Sequence, residues 1–154
     1  NRNHNQIQLF MLREILSITG RPGLFKIVSQ GNRMIIVEDI TSKARSAAHE
    51  RDKIVSLGDI AMYTEGEDLP LGQILQRLYD AEKGAQVEFK SLDGNALREK
   101  FAAIVPDFDR ERVHVSDIKK LFTWYNLLTA AGYDKFVEDE PAETEKPAEE
   151  KPAE

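Results

Sequence analysis

The composition of this chain changes abruptly after Phe136, and the change sets how much of it can fold. The last eighteen residues, VEDEPAETEKPAEEKPAE, hold eight acids, two lysines and three of the six prolines. Residues 1–136 carry 19 basic and 19 acidic side chains, so the formal charge of −6 belongs to the tail. Its acids repel one another, its prolines lack a backbone donor, and almost no apolar surface is present to offset the entropy of ordering. The tail, 137–154, is expected to be disordered.

The first ten residues, NRNHNQIQLF, are polar and rich in amides, and Met11 opens a stretch with the look of a protein start, MLREILSITG. Residues 1–10 therefore read as a non-native extension. What remains suits one compact domain or two small ones sharing a core. No apolar run approaches the ~20 residues needed to span a bilayer, and no basic segment precedes a signal-like apolar stretch, so no membrane association is expected. With no cysteine in the chain, disulfides, thiol catalysis and thiolate metal sites are excluded, which fits a cytoplasmic setting.

Along 11–64 the spacing of Leu12, Ile15, Leu16 and Thr19 predicts a short helix over 12–18, stopped by Gly20-Arg21-Pro22-Gly23. LFKIVSQ and RMIIVEDI flank Gly31-Asn32, which reads as a hairpin with a type II′ turn. Three further short strands follow, at 44–49, 53–56 and 61–64. Five short strands in so few residues point to a small, strongly bent SH3-like β-barrel.

From Glu65 the period changes to that of helices. Asp68 and Pro70 are placed to start the first, with apolar Leu71, Ile74, Leu75 and Leu78 at i, i+3, i+4, i+7 and Gly84 at its end. Asp93 caps a second helix that stops at Pro106. Ser116 caps a third, SDIKKLFTWYNLLTAAG, with a core stripe of Ile118, Leu121, Phe122, Tyr125 and Leu128. Trp124, Leu127 and Ala131 widen that stripe, leaving Lys119, Thr123 and Asn126 facing water. Such an arc marks a central helix, or one that also meets a partner. The fold class is therefore α+β: an SH3-like barrel over 11–64, a three-helix region over 65–136, and the acidic tail.

No catalytic constellation emerges. Gly20-Arg21-Pro22-Gly23 leaves a helix and enters a strand, the reverse of a phosphate-binding loop. Asp107, Asp109 and Glu111 alternate like calcium ligands, but Arg112 and Ile118 stand where an EF-hand requires Gly and Glu. His4, His49 and His114 lack the i+4 histidine of a helical zinc motif, and no GxSxG elbow is present. No catalytic residue, metal ligand or cofactor is assigned. Two contact sets stand out instead. Trp124 and Leu127 are candidates for a protein partner or a second copy of the chain. Arg110, Arg112, Lys119 and Lys120 are candidates for RNA, through phosphate pairing beside aromatic rings. The second and third helices lie about ten residues apart, unlike the 3–4-residue turn of a helix-turn-helix, which argues against sequence-specific DNA reading.

The blocks MLREILSITGRPGLFKIVSQ, RDKIVSLGDIAMYT and DFDRERVHVSDIKKLFTWYNLL, in that order, resemble a bacterial family of unknown function typical of Bacteroidetes. The resemblance covers nearly all of 11–132. It implies an SH3-like N-terminal domain followed by a helical domain in a cytoplasmic protein, and it brings no activity or catalytic residue. The functional expectation is a non-enzymatic interaction module that binds protein, with RNA or ribosome association as the alternative and an enzyme third.

Overall fold

The computed structural model describes residues 12–136. Residues 1–11 and 137–154, where the expected non-native extension and the expected disorder fall, lie outside the described residues. A 3-10 turn at Leu12–Glu14 leads into β1 (Ile15–Ile18), β2 (Phe25–Gly31), β3 (Met34–Asp39), β4 (Arg45–His49) and β5 (Ile54–Ser56). A second 3-10 turn, Leu57–Asp59, precedes β6 (Ala61–Met62) and β7 (Leu69–Pro70). Three helices follow: α1 (Leu71–Glu82), α2 (Gly94–Ile104) and α3 (Val115–Ala130). The fold is mixed α+β. Five antiparallel strands run in the order β4-β3-β2-β1-β5, and β6 and β7 form a separate pair.

The five-stranded sheet does not have the expected membership. The predicted helix over 12–18 is instead a 3-10 turn followed by β1. Ile15 points into one core while Leu16 and Ile18 point into another, all nearly fully buried. A strand buried on both faces gives a continuous apolar run that mimics helical spacing. A seven-residue helix containing β-branched residues also lacks the length to nucleate. The strand expected at 61–64 leaves the sheet altogether, and β6 pairs with β7 beside the helices. The expected barrel is not closed, because β4 and β5 are the two edges of an open sheet.

The β2–β3 hairpin turns one residue later than expected. Gly31 pairs with Met34, so Asn32-Arg33 forms the loop, and Arg33 takes the left-handed conformation at φ 63°. The cause is a bulge between Ile27 and Ser29, which inserts Val28 and shifts the register by one.

Two helix starts also moved. Pro70 ends β7 rather than occupying the first turn of α1, and Leu71 N–H donates to the Ile60 carbonyl at 2.8 Å. Asp68 therefore caps nothing. α3 begins one residue before Ser116: His114 is its cap, and the Asp117 carboxylate accepts from His114 N–H at 2.9 Å. An acid three residues into a helix makes that return bond readily. α2 starts as expected, with Asp93 accepting from Ala96 N–H at 2.8 Å, and it ends before Pro106.

One apolar core joins the two halves of the chain. Ile15, Leu24, Ile40 and Leu57 from the sheet side pack in a single cluster with Leu75, Leu97, Phe101, Phe122, Tyr125 and Leu128. Phe122 and Tyr125 are fully buried, so α3 is the central helix its broad apolar arc indicates. A side chain such as Phe122 contributes about 1.5–3 kcal/mol by leaving water. A smaller cluster, with Leu16, Phe25 and Val37 at its centre, fills the other face of the sheet.

Candidate functional site

A groove of about 250 Å³ runs between β6 and the first half of α3. Ile60, Ala61, Met62 and Tyr63 form one wall, Asp117, Lys120 and Trp124 form the other, and Leu71, Val113 and Leu121 lie in the apolar core beneath. The wall on the β6 side is extended because Ile60 and Met62 pair with the stretch leading into α1. The facing wall is helical because the His114–Asp117 cap fixes where α3 begins, and so which side chains reach the groove. Its rim is charged: Arg112 at one end, Asp117 and Lys120 along the helix.

Arg112 is held firmly. Its Nε donates to Asp109 Oδ2 at 3.0 Å, and its guanidinium lies 4.0 Å from the Tyr63 ring centroid. Asp109 Oδ1 also accepts from Glu111 N–H at 3.0 Å and from Arg112 N–H at 3.2 Å, closing a tight turn. The Arg112 bond, followed by that from Glu111 N–H, holds the Asp109 carboxyl below its ordinary range, and the Asp109 bond raises the guanidinium of Arg112. Arg110 stacks 4.6 Å from the Phe108 ring centroid. Both arginines are thus engaged with aromatic rings, which holds charged planes at low conformational cost.

Of the six candidate contact residues, the fold gathers three at the groove: Trp124, Arg112 and Lys120. Leu127 is half-buried and packs against the main core, while Arg110 and Lys119 are exposed outside the lining. Tyr63, 41 % exposed, and Met62 belong to the site without having been singled out in the sequence. Nothing in the local sequence marks them, because their neighbours at the groove lie some fifty positions later in the chain. The expectation that Asn126 faces water also fails. It clamps the Val87 backbone by two hydrogen bonds.

Among the described residues, no group of three or more His, Asp or Glu side chains is placed to hold a metal ion, and no helix is long and apolar enough to cross a membrane. His114 caps α3, with Nδ1 3.7 Å from Asp117 Oδ2, and His49 N–H donates to Asp52 at 2.8 Å.

Two family models match the chain, each described as a domain of unknown function: DUF5606 over residues 12–57 and DUF6852 over 60–128. A solution NMR structure of a protein from Bacteroides vulgatus is similar over 90 % of this chain and 99 % of its own, at 44 % identity and a TM-score of 0.69. The chain belongs to that protein's family. Comparison with curated proteins gives no match. The matches agree with the resemblance to a bacterial family of unknown function. The two models meet at the second 3-10 turn, and every groove residue named above lies within 60–128.

Proposed function

We propose that this protein is a non-enzymatic interaction module that binds another protein through the groove between β6 and α3. The observation carrying this reading is the groove itself, an open apolar cleft with Trp124 and Met62 inside and Lys120 at its rim. Trp is the residue type most enriched among energetic anchors of protein interfaces, and a cleft surrounded by polar groups is the usual setting for one. Lys120 makes no ion pair with another described residue, whereas Arg112 has its charge matched by Asp109.

The same facts disfavour RNA association. Two of the four basic residues in the sequence cluster are occupied by aromatic rings, and one of these by a carboxylate as well, leaving Lys119 and Lys120 as the cations of the set without a ring or ion-pair partner among the described residues. The sheet supports an SH3-like reading of the N-terminal half, a fold used mainly as a binding platform. Four inter-strand spacings of about 4.8 Å would separate β4 and β5 by about 19 Å in a flat sheet. Yet residues 50–53 alone join them, and Asp52 N–H donates to His49 C=O at 2.9 Å. So short a link requires strong curl. A cytoplasmic location is proposed on the cysteine-free composition.

Affinity purification from native cells, with nuclease-treated and untreated arms, tests the reading. A protein partner that survives nuclease and is lost with Trp124→Ala is expected. Recovery that disappears on nuclease treatment, or with Arg110→Ala plus Arg112→Ala while Trp124→Ala is silent, would replace it with the RNA reading. That association would also weaken steeply with salt.

A further inference from the structure

The wall of the groove formed by β6 is an unfinished three-stranded ladder. Leu71 N–H donates to Ile60 C=O, and Ala61 stands opposite Pro70, which has no N–H. Hydrogen bonds on the β7 side are therefore made by Ile60, to Leu71, and by Met62, opposite Leu69, and the Ala61 N–H and C=O point away from β7. The opposite edge is partly occupied. Asp109 N–H donates to Tyr63 C=O at 3.0 Å and Glu65 N–H donates to Asp107 C=O at 2.9 Å, around an antiparallel bridge between Thr64 and Phe108. A third strand thus starts beside residues 63–65. It breaks at Asp109, whose carbonyl accepts from Val113 N–H at 2.9 Å and turns the chain away. The place beside Ala61, where that strand would have continued, is the groove. Ala61 is exposed there, and Tyr63 N–H has no hydrogen-bond partner among the described residues.

We infer that the groove binds an extended segment of a partner protein, which adds antiparallel to β6 as the missing third strand and places a carboxylate beside Lys120. The inference rests on the protein-binding reading of the groove and specifies its ligand. Main-chain pairing to the Ala61 N–H and C=O supplies register and affinity, as in other strand-addition complexes. The apolar floor takes alternate side chains, because successive residues of a strand point to opposite sides. The acidic preference is local to Lys120, an exposed cation that makes no ion pair with another described residue; Arg112 is already matched by Asp109, and Asp117 on the same wall accepts from His114 N–H at 2.9 Å.

The probe is a peptide enriched from a displayed library of random sequences on the intact protein. Three measurements on that peptide separate the inference from the reading beneath it. Ala61→Pro removes the donor without touching the bonds to β7, and Ile60, at φ −93° and ψ 139°, already has the backbone that precedes proline. This substitution should weaken binding by about tenfold, the effect of losing one well-formed hydrogen bond and crowding the free edge. Because the variant protein could misfold, a scan of N-methylated peptides on the wild-type protein provides a second test, and one or two positions should lose binding. Exchange of the Ala61 amide proton should slow when the peptide is bound. If Trp124→Ala abolishes binding while every N-methyl peptide binds normally and Ala61 exchange is unchanged, strand addition is wrong and the groove reading stands. If Trp124→Ala is silent, or the library yields no peptide, the groove reading falls and this inference with it.

Discussion

The carboxamide of Asn126 pairs with both backbone groups of Val87: Oδ1 accepts from Val87 N–H at 2.8 Å, and Nδ2 donates to Val87 C=O at 2.9 Å. Residues 85–89 form no strand or helix, so their buried polar groups need partners from elsewhere. One turn of α3 supplies them. Tyr125 Oη donates to Ala85 C=O at 2.8 Å, its hydroxyl pushed up to about 12 chiefly by burial, with Glu82 and Tyr79 adding to the effect. Val87 and Phe89 then enter the core, and Phe89 meets Phe122 at 5.6 Å between ring centroids.

Asn126→Ala should therefore destabilise far more than its half-exposed position suggests. It leaves a buried N–H and C=O without partners, which together cost about 2–4 kcal/mol. Asn126→Asp keeps the acceptor and loses the donor, so it should fall between alanine and wild type. Urea unfolding monitored by the single tryptophan gives the comparison. Equal stability of all three proteins would show that this clamp contributes nothing.

Arg21 bridges the open side of the curled sheet. Its Nη2 donates to Ala47 C=O at 2.8 Å and lies 3.7 Å from Asp52, and its Nη1 donates to Ser46 Oγ at 3.2 Å. In effect one side chain ties the end of β1 to the edge strand β4, where no strand-to-strand ladder forms. Arg21→Lys keeps the charge but not the planar fork. A loss of about 1–2 kcal/mol is expected, with faster amide exchange in β4 than in β2. Uniform exchange across the sheet would count against a bridging role.

Arg33 occupies a left-handed conformation that costs a non-glycine residue about 1 kcal/mol. Its ion pair with Glu50, at 3.8 Å between exposed side chains, contributes little. Arg33→Gly should thus raise the melting temperature by a few degrees, for a gain of about 0.5–1 kcal/mol. A fall instead would mean the ion pair outweighs the backbone strain.

Asp109 makes the turn that holds Arg112 sensitive to acid. Its carboxyl lies below the ordinary 3.8, first because of the Arg112 side-chain bond and then because of Glu111 N–H. A carboxyl with a lowered folded pKa stabilises fully above its unfolded value and loses that contribution as pH falls through the folded one. The gap in melting temperature between wild type and Asp109→Asn should be widest near neutrality and close below about pH 4. Asp52, lowered chiefly by the His49 N–H and then by Arg21, should behave alike. A gap independent of pH would show that the turn, not the charge, matters.

The helical half is more legible in the sequence than the sheet, for physical reasons. Apolar spacing in 71–130 reports a single buried face per helix, and Asp93, Gly84, Pro106 and Gly132 mark ends through local backbone chemistry. β1 misleads because it is buried on both faces, and the β2–β3 turn because a bulge at Val28 breaks the alternation. The groove is half legible. Trp124, Arg112 and Lys120 stand near one another in sequence, but Met62 and Tyr63 join them only because β6 abandons the sheet. Asn126 gives no signal at all, since an amide on the polar side of a helix looks the same whether it meets water or a distant backbone.

Gly72 exposes a contest between helix propensity and packing. A Cβ at this position would run into the Phe136 carbonyl and lie 3.0 Å from Leu12 Cδ2. Phe136 cannot easily retreat: its N–H donates to Gln76 Oε1 at 2.9 Å, its ring sits 5.8 Å from that of Tyr79, and it is 4 % exposed. Alanine gains up to about 1 kcal/mol over glycine in a helix, whereas forcing atoms into a packed site costs about 1–3 kcal/mol. Because the obstructing atom belongs to the backbone, the clash should win, and Gly72→Ala should lose about 1–2 kcal/mol on urea unfolding. In a chain ending at Lys135 the carbonyl is gone and only the flexible end of Leu12 remains nearby. There the same substitution should be neutral or stabilising. An equal loss in both chains would move the conflict to Leu12, and a gain in both would mean that Phe136 docks less firmly than its contacts indicate.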